Sequence, residues 1–130
     1  MPAADEQVPE PLRAAQFVAL TTYRRDGTPV STPLGPLVQA GRVYFITRSD
    51  TGKVKRLRRN SQVQLAPCTR RGEVTGPIYP GTARVLADEE AAEIAAAFRR
   101  NWGWQWHAMR LVDRFAGKRR VYLEVSPSVA

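Results

Sequence analysis

The chain has 130 residues, 43% of them hydrophobic, enough for one domain with a real core but little to spare for a deep enzyme cleft. Its formal net charge is +8, and nine Lys or Arg against the single acid Asp50 fall within residues 42–71, while the remainder holds eleven of each sign. Cys68 and His107 are the only cysteine and histidine, which excludes an intrachain disulfide and a Cys or His metal cluster, and leaves no basis for a Ser-His or Cys-His catalytic scheme beyond one histidine.

Residues 1–11 are acidic and hold Pro2, Pro9 and Pro11, which predicts a mobile tail ahead of one domain spanning 12–130. Residues 12–16 add one helical turn. The β-rich run Phe17-Val18-Ala19-Leu20-Thr21-Thr22-Tyr23 and the Asp26-Gly27 turn signal predict a hairpin whose returning strand covers 28–38. That strand carries Pro29, Pro33 and Pro36, which suits a sheet edge or a bulged barrel rim. A second turn at 39–42 leads into a strand at 43–47.

The stretch Ser49-Asp50-Thr51-Gly52-Lys53-Val54-Lys55-Arg56-Leu57-Arg58-Arg59-Asn60 then reads as a short helix, with Ser49, Asp50 or Thr51 as N-cap, Val54 and Leu57 on one face, and Asn60 at its close. Its electrostatics are inverted. Lys53, Lys55 and Arg56 lie in or near the first turn, where the helix dipole disfavours cations by several tenths of a kcal/mol each, roughly. A bound phosphate reverses that sign: backbone N–H groups from Thr51 to Lys53 and one or two side-chain cations make an anion cradle, with Gly52 allowing close approach. The alternative is a solvated basic face on a surface helix.

Further on, 63–66 alternates as a strand, 69–72 turns, and 78–86 is a strand with an irregular, proline-bearing start. Asp88 is placed as the cap of a helix over 89–100, which Gly103 interrupts. In a second helix, Trp104, Ala108, Leu111, Val112 and Phe115 repeat at helical spacing as an apolar face for the core or a dimer, with Arg110 and Arg114 outside. Gly117 stops it, and 120–125 is the last strand. About six antiparallel strands with flanking helices define a mainly β (α+β) fold, a small barrel with helices on one side. No run approaches the ~20 apolar residues of a membrane span, and the start lacks signal-peptide character, so a cytoplasmic location is expected.

Three segments together resemble the split β-barrel flavin and deazaflavin oxidoreductases, the pyridoxamine-phosphate-oxidase-like proteins, and within them the branch that uses coenzyme F420. They are the run from Leu20 through Asp26-Gly27-Thr28-Pro29 to Pro33, the strand Val43-Tyr44-Phe45-Ile46-Thr47, and Gly52-Lys53-Val54-Lys55-Arg56-Leu57-Arg58-Arg59-Asn60. The resemblance implies a split barrel and a homodimer. It also implies that Lys53, with Thr51, Gly52 and Arg56, holds the coenzyme phosphate, that Thr32, Pro33 and Leu34 run beside the tricyclic ring, and that Thr47, Arg48 and Ser49 line the ribityl chain. An oligoglutamate tail on F420 would find Arg58, Arg59, Arg70 and Arg71. The coenzyme would then deliver hydride to a small conjugated substrate without a protein nucleophile.

Gly35-Pro36 stands where these relatives usually place a bulky aromatic beside the ring. The family also contains FMN users and haem binders, so the alternatives are an FMN oxidoreductase of the same fold or a non-catalytic cofactor carrier. A nucleic-acid module is a further alternative; the basic block lacks interleaved aromatics and no helix-turn-helix signature appears, which argues against it. Trp102, Trp104 and Trp106 are candidates for core or dimer packing or for a ring-covering lid, with His107 as a candidate proton donor.

Overall fold

The structure is a computed structural model that describes residues 7–116 and 119–128. In chain order the elements are α1 (Glu10–Arg13), β1 (Phe17–Tyr23), β2 (Pro29–Leu34), β3 (Leu37–Gln39), β4 (Arg42–Arg48), α2 (Gly52–Arg59), β5 (Gln62–Cys68), β6 (Tyr79–Val85), α3 (Asp88–Trp102), α4 (Trp104–Ala116) and β7 (Arg120–Pro127). The strands form one antiparallel sheet in the order β2-β1-β5-β6-β7-β4-β3.

The two edge strands of that sheet, β2 and β3, are consecutive in the chain and separated only by Gly35 and Pro36. Three Cα–Cα steps reach at most about 11 Å, so the sheet must curl until its edges nearly meet at that corner. This is a split barrel. The strand expected over 28–38 is therefore two strands on opposite edges, and there are seven strands among the described residues where about six were expected. Pro36 cannot donate to a ladder, which helps to end β2 pairing before β3 begins.

Alternate residues of the strands fill the barrel: Val18 and Leu20, Val43 and Phe45, Val63 and Leu65, Leu123 and Val125 are all buried together. Gly81 lies where there is little room for a side chain. A Cβ there would stand 3.0 Å from the Ser126 carbonyl oxygen and 3.1 Å from Leu65 Cδ1, and Ser126 is fixed by its pairing with Thr82. Gly81→Ala is expected to lower stability by roughly 1–3 kcal/mol through overpacking. A denaturant midpoint shift with an unchanged slope would show it; an unshifted midpoint would mean the walls relax freely.

Each mouth of the barrel is closed by a short helix. β1 begins opposite Cys68 and runs antiparallel to β5, so α1, which precedes β1, and α2, which precedes β5, sit at opposite ends. Leu57 of α2 plugs one end; Leu12 of α1 and Val8 just before it are fully buried at the other. Residues 7–11 were expected to belong to a mobile tail. Instead Val8 is a core residue, because the barrel needs an apolar plug there; residues 1–6 lie outside the described part.

Outside the barrel, α3 lays Ile94, Ala97 and Phe98 on Tyr44, Ile46 and Tyr122 of β4 and β7. Asp88 is not its cap. The N-cap is Ala87 without a side-chain bond, and the Asp88 carboxylate instead accepts from Arg119 Nη2 at 3.1 Å. The α4 helix is turned about half a revolution from the orientation that would put its apolar face in the core, one of the two places expected for it. Trp104, Leu111 and Val112 are 76%, 56% and 63% exposed, while Trp106, Met109 and the buried Asp113 face the body; the side chain of Phe115 lies outside the described part. The carboxylate accounts for the rotation, because both Asp113 oxygens accept from Arg120 Nε at 2.8 and 2.9 Å.

Candidate anion-binding site

Thr51 precedes α2 in extended geometry but does not cap it. Its Oγ1 turns back to donate to the Arg48 carbonyl at 2.9 Å, and the first turn contains no acid, so no side chain of the helix serves its leading N–H groups. Those groups and the dipole favour an anion. Arg48 itself lies 3.3 Å from Asp50, and the Ser49 N–H donates to the Arg119 carbonyl at 2.9 Å, which ties the end of β4 to the start of β7.

Lys53 follows on the first turn and is only 8% exposed. Its Nζ donates to Thr47 Oγ1 at 3.0 Å, a neutral partner for a group with three donors. Burial first, then Arg56 and Arg48, push the ammonium below its ordinary pKa. A buried cation beside two guanidiniums and an uncapped helix start has the donor set of a phosphate site, and a bound anion would offset both the desolvation and the repulsion.

Arg56 sits one turn further on. Its Nε donates to Thr22 Oγ1 at 2.7 Å, bridging α2 to β1, and its pKa is lowered by burial and then by Arg24 and Arg59. Its Nη1 would lie 2.8 Å from a Cβ on Gly52. The glycine therefore admits the guanidinium over the backbone, where sequence reasoning placed a ligand. Thr22 was missed, although its inward position on β1, in step with Val18 and Leu20, was readable from alternation.

Thr47, Arg48, Ser49, Thr51, Gly52, Lys53 and Arg56 are thus gathered at one mouth of the barrel. Thr32, Pro33 and Leu34 run away from it along β2, opposite Leu20, Ala19 and Val18. Leu34 packs against the barrel core, Pro33 faces outward near Gly72, and Thr32 shares the face of Thr22, which Arg56 holds. The run of cations in sequence does not form one patch in a single chain. Arg58 and Arg59 precede β5 and Arg70 and Arg71 follow it, so the two pairs are separated by a strand of roughly 20 Å.

Trp102 takes up the space left by Gly35. Its Cζ2 stands 3.5 Å from a Cβ placed on that glycine, and its ring meets Phe98 edge-on at 5.0 Å. His107 is exposed and edge-on to Trp106. Four surface hollows of about 250–540 Å³ are lined by other residues than Lys53.

The family model for pyridoxamine 5'-phosphate oxidase matches residues 4–128, and the chain belongs to that family, which binds flavins and includes oxidoreductases. Solved structures share the fold. The heme storage protein HutZ of Vibrio cholerae is similar at TM-score 0.71 and 11% identity, over 99% of this chain and 93% of that one. An F420 reductase is similar at TM-score 0.58 and 19% identity, over 94% and 97%. A FAD-binding protein of Mesorhizobium loti is similar at TM-score 0.57 and 15% identity, over 92% and 84%. No curated protein matches the chain in sequence. No helix among the described residues is long and apolar enough to cross a membrane.

Proposed function

We propose that this chain is an F420H2-dependent reductase that acts as a homodimer on a small conjugated acceptor. The observation that supports it most is the Lys53 ammonium, buried at the uncapped start of α2 with a neutral hydroxyl as partner and Arg48 and Arg56 beside it. That donor set fits a coenzyme phosphate. When bound, the reduced deazaflavin supplies the hydride. Lys53 and Arg56 then hold the phosphate, Thr47 keeps the Lys53 ammonium aimed, and the β2 segment Thr32-Pro33-Leu34 borders the ring. Arg58 and Arg59, on the same helix as Lys53, add cations for a longer polyanion and favour F420 over FMN. A second copy would supply the walls that a chain this short lacks, and the exposed α4 face offers it apolar surface.

Titration of the purified protein with F420 of several tail lengths, FMN and a mixed oligonucleotide tests the reading. Affinity for F420 is expected to rise with tail length and to fall as salt screens the exposed pairs, with FMN weaker. Tighter binding of FMN at low salt overturns the coenzyme assignment. Preference for the oligonucleotide returns the basic helix to nucleic acid, and binding of F420 without hydride turnover makes the chain a carrier.

A further inference from the structure

Between α3, α4 and the start of β7 lies a hollow of about 250 Å³. It lies on the far side of the sheet from the cradle: Tyr122 pairs with Ile46 and faces α3, whereas Thr47, the next residue of β4, turns toward Lys53. Ala91, Ala92 and Ala95 of α3 line one wall and Trp106 of α4 lies among the others. Larger apolar residues at the three alanines would have closed the helices on each other; as alanines they leave room for roughly one ring, below the ~300–1,000 Å³ of drug-sized sites.

The polar groups around this space are almost all donors. Trp106 Nε1–H is buried and makes no well-formed hydrogen bond among the described residues, the Tyr122 hydroxyl beside it being its one weak acceptor, so a better acceptor would relieve it. Arg110 lies over the Trp106 ring at 5.4 Å, and Arg119 and Arg120 complete the cationic side. The carboxylates nearby are already used: Asp113 by Arg120, and Asp88, largely exposed on the rim, by Arg119. Tyr122 closes the inner end; burial raises its phenol above the ordinary pKa, and its hydroxyl can both donate and accept. Of the three guanidiniums, those of Arg119 and Arg120 are paired with Asp88 and Asp113, and Arg110 has no carboxylate partner among the described residues. An apolar slot with a poorly satisfied N–H and one spare guanidinium fits a flat body bearing one negative, hydrogen-bond-accepting group.

We infer that this hollow is a second small-molecule site, which takes a planar carboxylic acid with its carboxylate on Trp106 Nε1–H and its ring against the alanines of α3. It does not rest on the coenzyme reading. Benzoate is the probe, followed through the three tryptophan indole N–H resonances of the full-length protein, that of Trp106 being identified by its loss in Trp106→Phe. Benzoate is expected to move the Trp106 resonance saturably in the millimolar range, with benzamide, its neutral counterpart, at least about tenfold weaker and inorganic phosphate without effect. Ala95→Leu should abolish the shift while the Trp102 and Trp104 resonances keep their native positions, which shows that the variant is folded. Lys53→Met should bind benzoate as the native chain does. No saturable shift, an equal response to benzamide or phosphate, or native titration by a folded Ala95→Leu overturns the site.

Discussion

Replacing Lys53 with methionine is expected to weaken F420 binding by roughly 1.5–3 kcal/mol, the range for losing a charge-assisted hydrogen bond to phosphate. Folding should not suffer. Methionine keeps the apolar stem while removing a cation that burial, Arg56 and Arg48 all disfavour. The sign can be checked with pH. The folded-state pKa of Lys53 is lowered from 10.5, so below the folded value both states are protonated and the penalty on the folded apo chain is complete. Between the folded value and 10.5 the unfolded chain binds the extra proton, and stability from this group rises with pH. The apo methionine variant should thus be the more stable at neutral pH, by an advantage that shrinks as pH approaches 10.5. Arg100→Ala, an exposed site on α3, should alter neither binding nor stability. Unchanged coenzyme affinity in the methionine variant would mean that Lys53 is a structural cation and that the cradle at α2 is misassigned.

The strands of the barrel and the position of α2 were legible in sequence because alternation and turn chemistry are local. Val18, Leu20 and Thr22 repeat every second residue, and the Ala40-Gly41 turn, with φ of 52° and 76°, carries the glycine that such two-residue hairpins favour. What could not be read depends on partners distant in the chain. Nothing local says that Gly35-Pro36 joins opposite edges of the sheet, because that follows from the pairing order. The pairing of Arg56 with Thr22 spans 34 residues, and with it goes the role of Gly52 as the place where a guanidinium crosses the backbone. Val8 was read as tail because acid and proline surround it, yet a fully buried valine is worth about 1.5–3 kcal/mol and decides the matter for that residue. The charge run misled in the opposite way. Its nearness in sequence is broken by β5, which carries Arg70 and Arg71 to the far mouth of the barrel.

Periodicity assigned the apolar face of α4 to the core or to a dimer, the single chain leaves it out of the core, and the residue that turns the helix gives the largest stability effect to expect. Asp113 and Arg120 retain side-chain exposures of 8% and 24%, and both carboxylate oxygens lie within bonding distance of Arg120 Nε. Removing one member of a fully buried pair costs about 3–5 kcal/mol, and since Arg120 keeps part of its hydration, Asp113→Ala is expected to cost roughly 2–3 kcal/mol. Most of that should appear as loosening of α4. Its opposite face, with Trp104, Leu111 and Val112, is exposed among the described residues, so Trp106 and Met109 would be left to hold the helix. Hydrogen exchange should then show α4 amides opening well before those of β4 and β7. A double variant, Asp113→Leu with Arg120→Met, should recover to within about 1 kcal/mol of the native chain, because two apolar groups leave no uncompensated charge. Coenzyme affinity should hold in both variants, since Lys53 and Thr47 lie on the other face of the sheet, so the effects of Lys53→Met and Asp113→Ala should separate cleanly into binding and folding. If Asp113→Ala leaves both the denaturant midpoint and α4 exchange unchanged, the ion pair does not set the rotation of α4, and its exposed apolar face needs another cause.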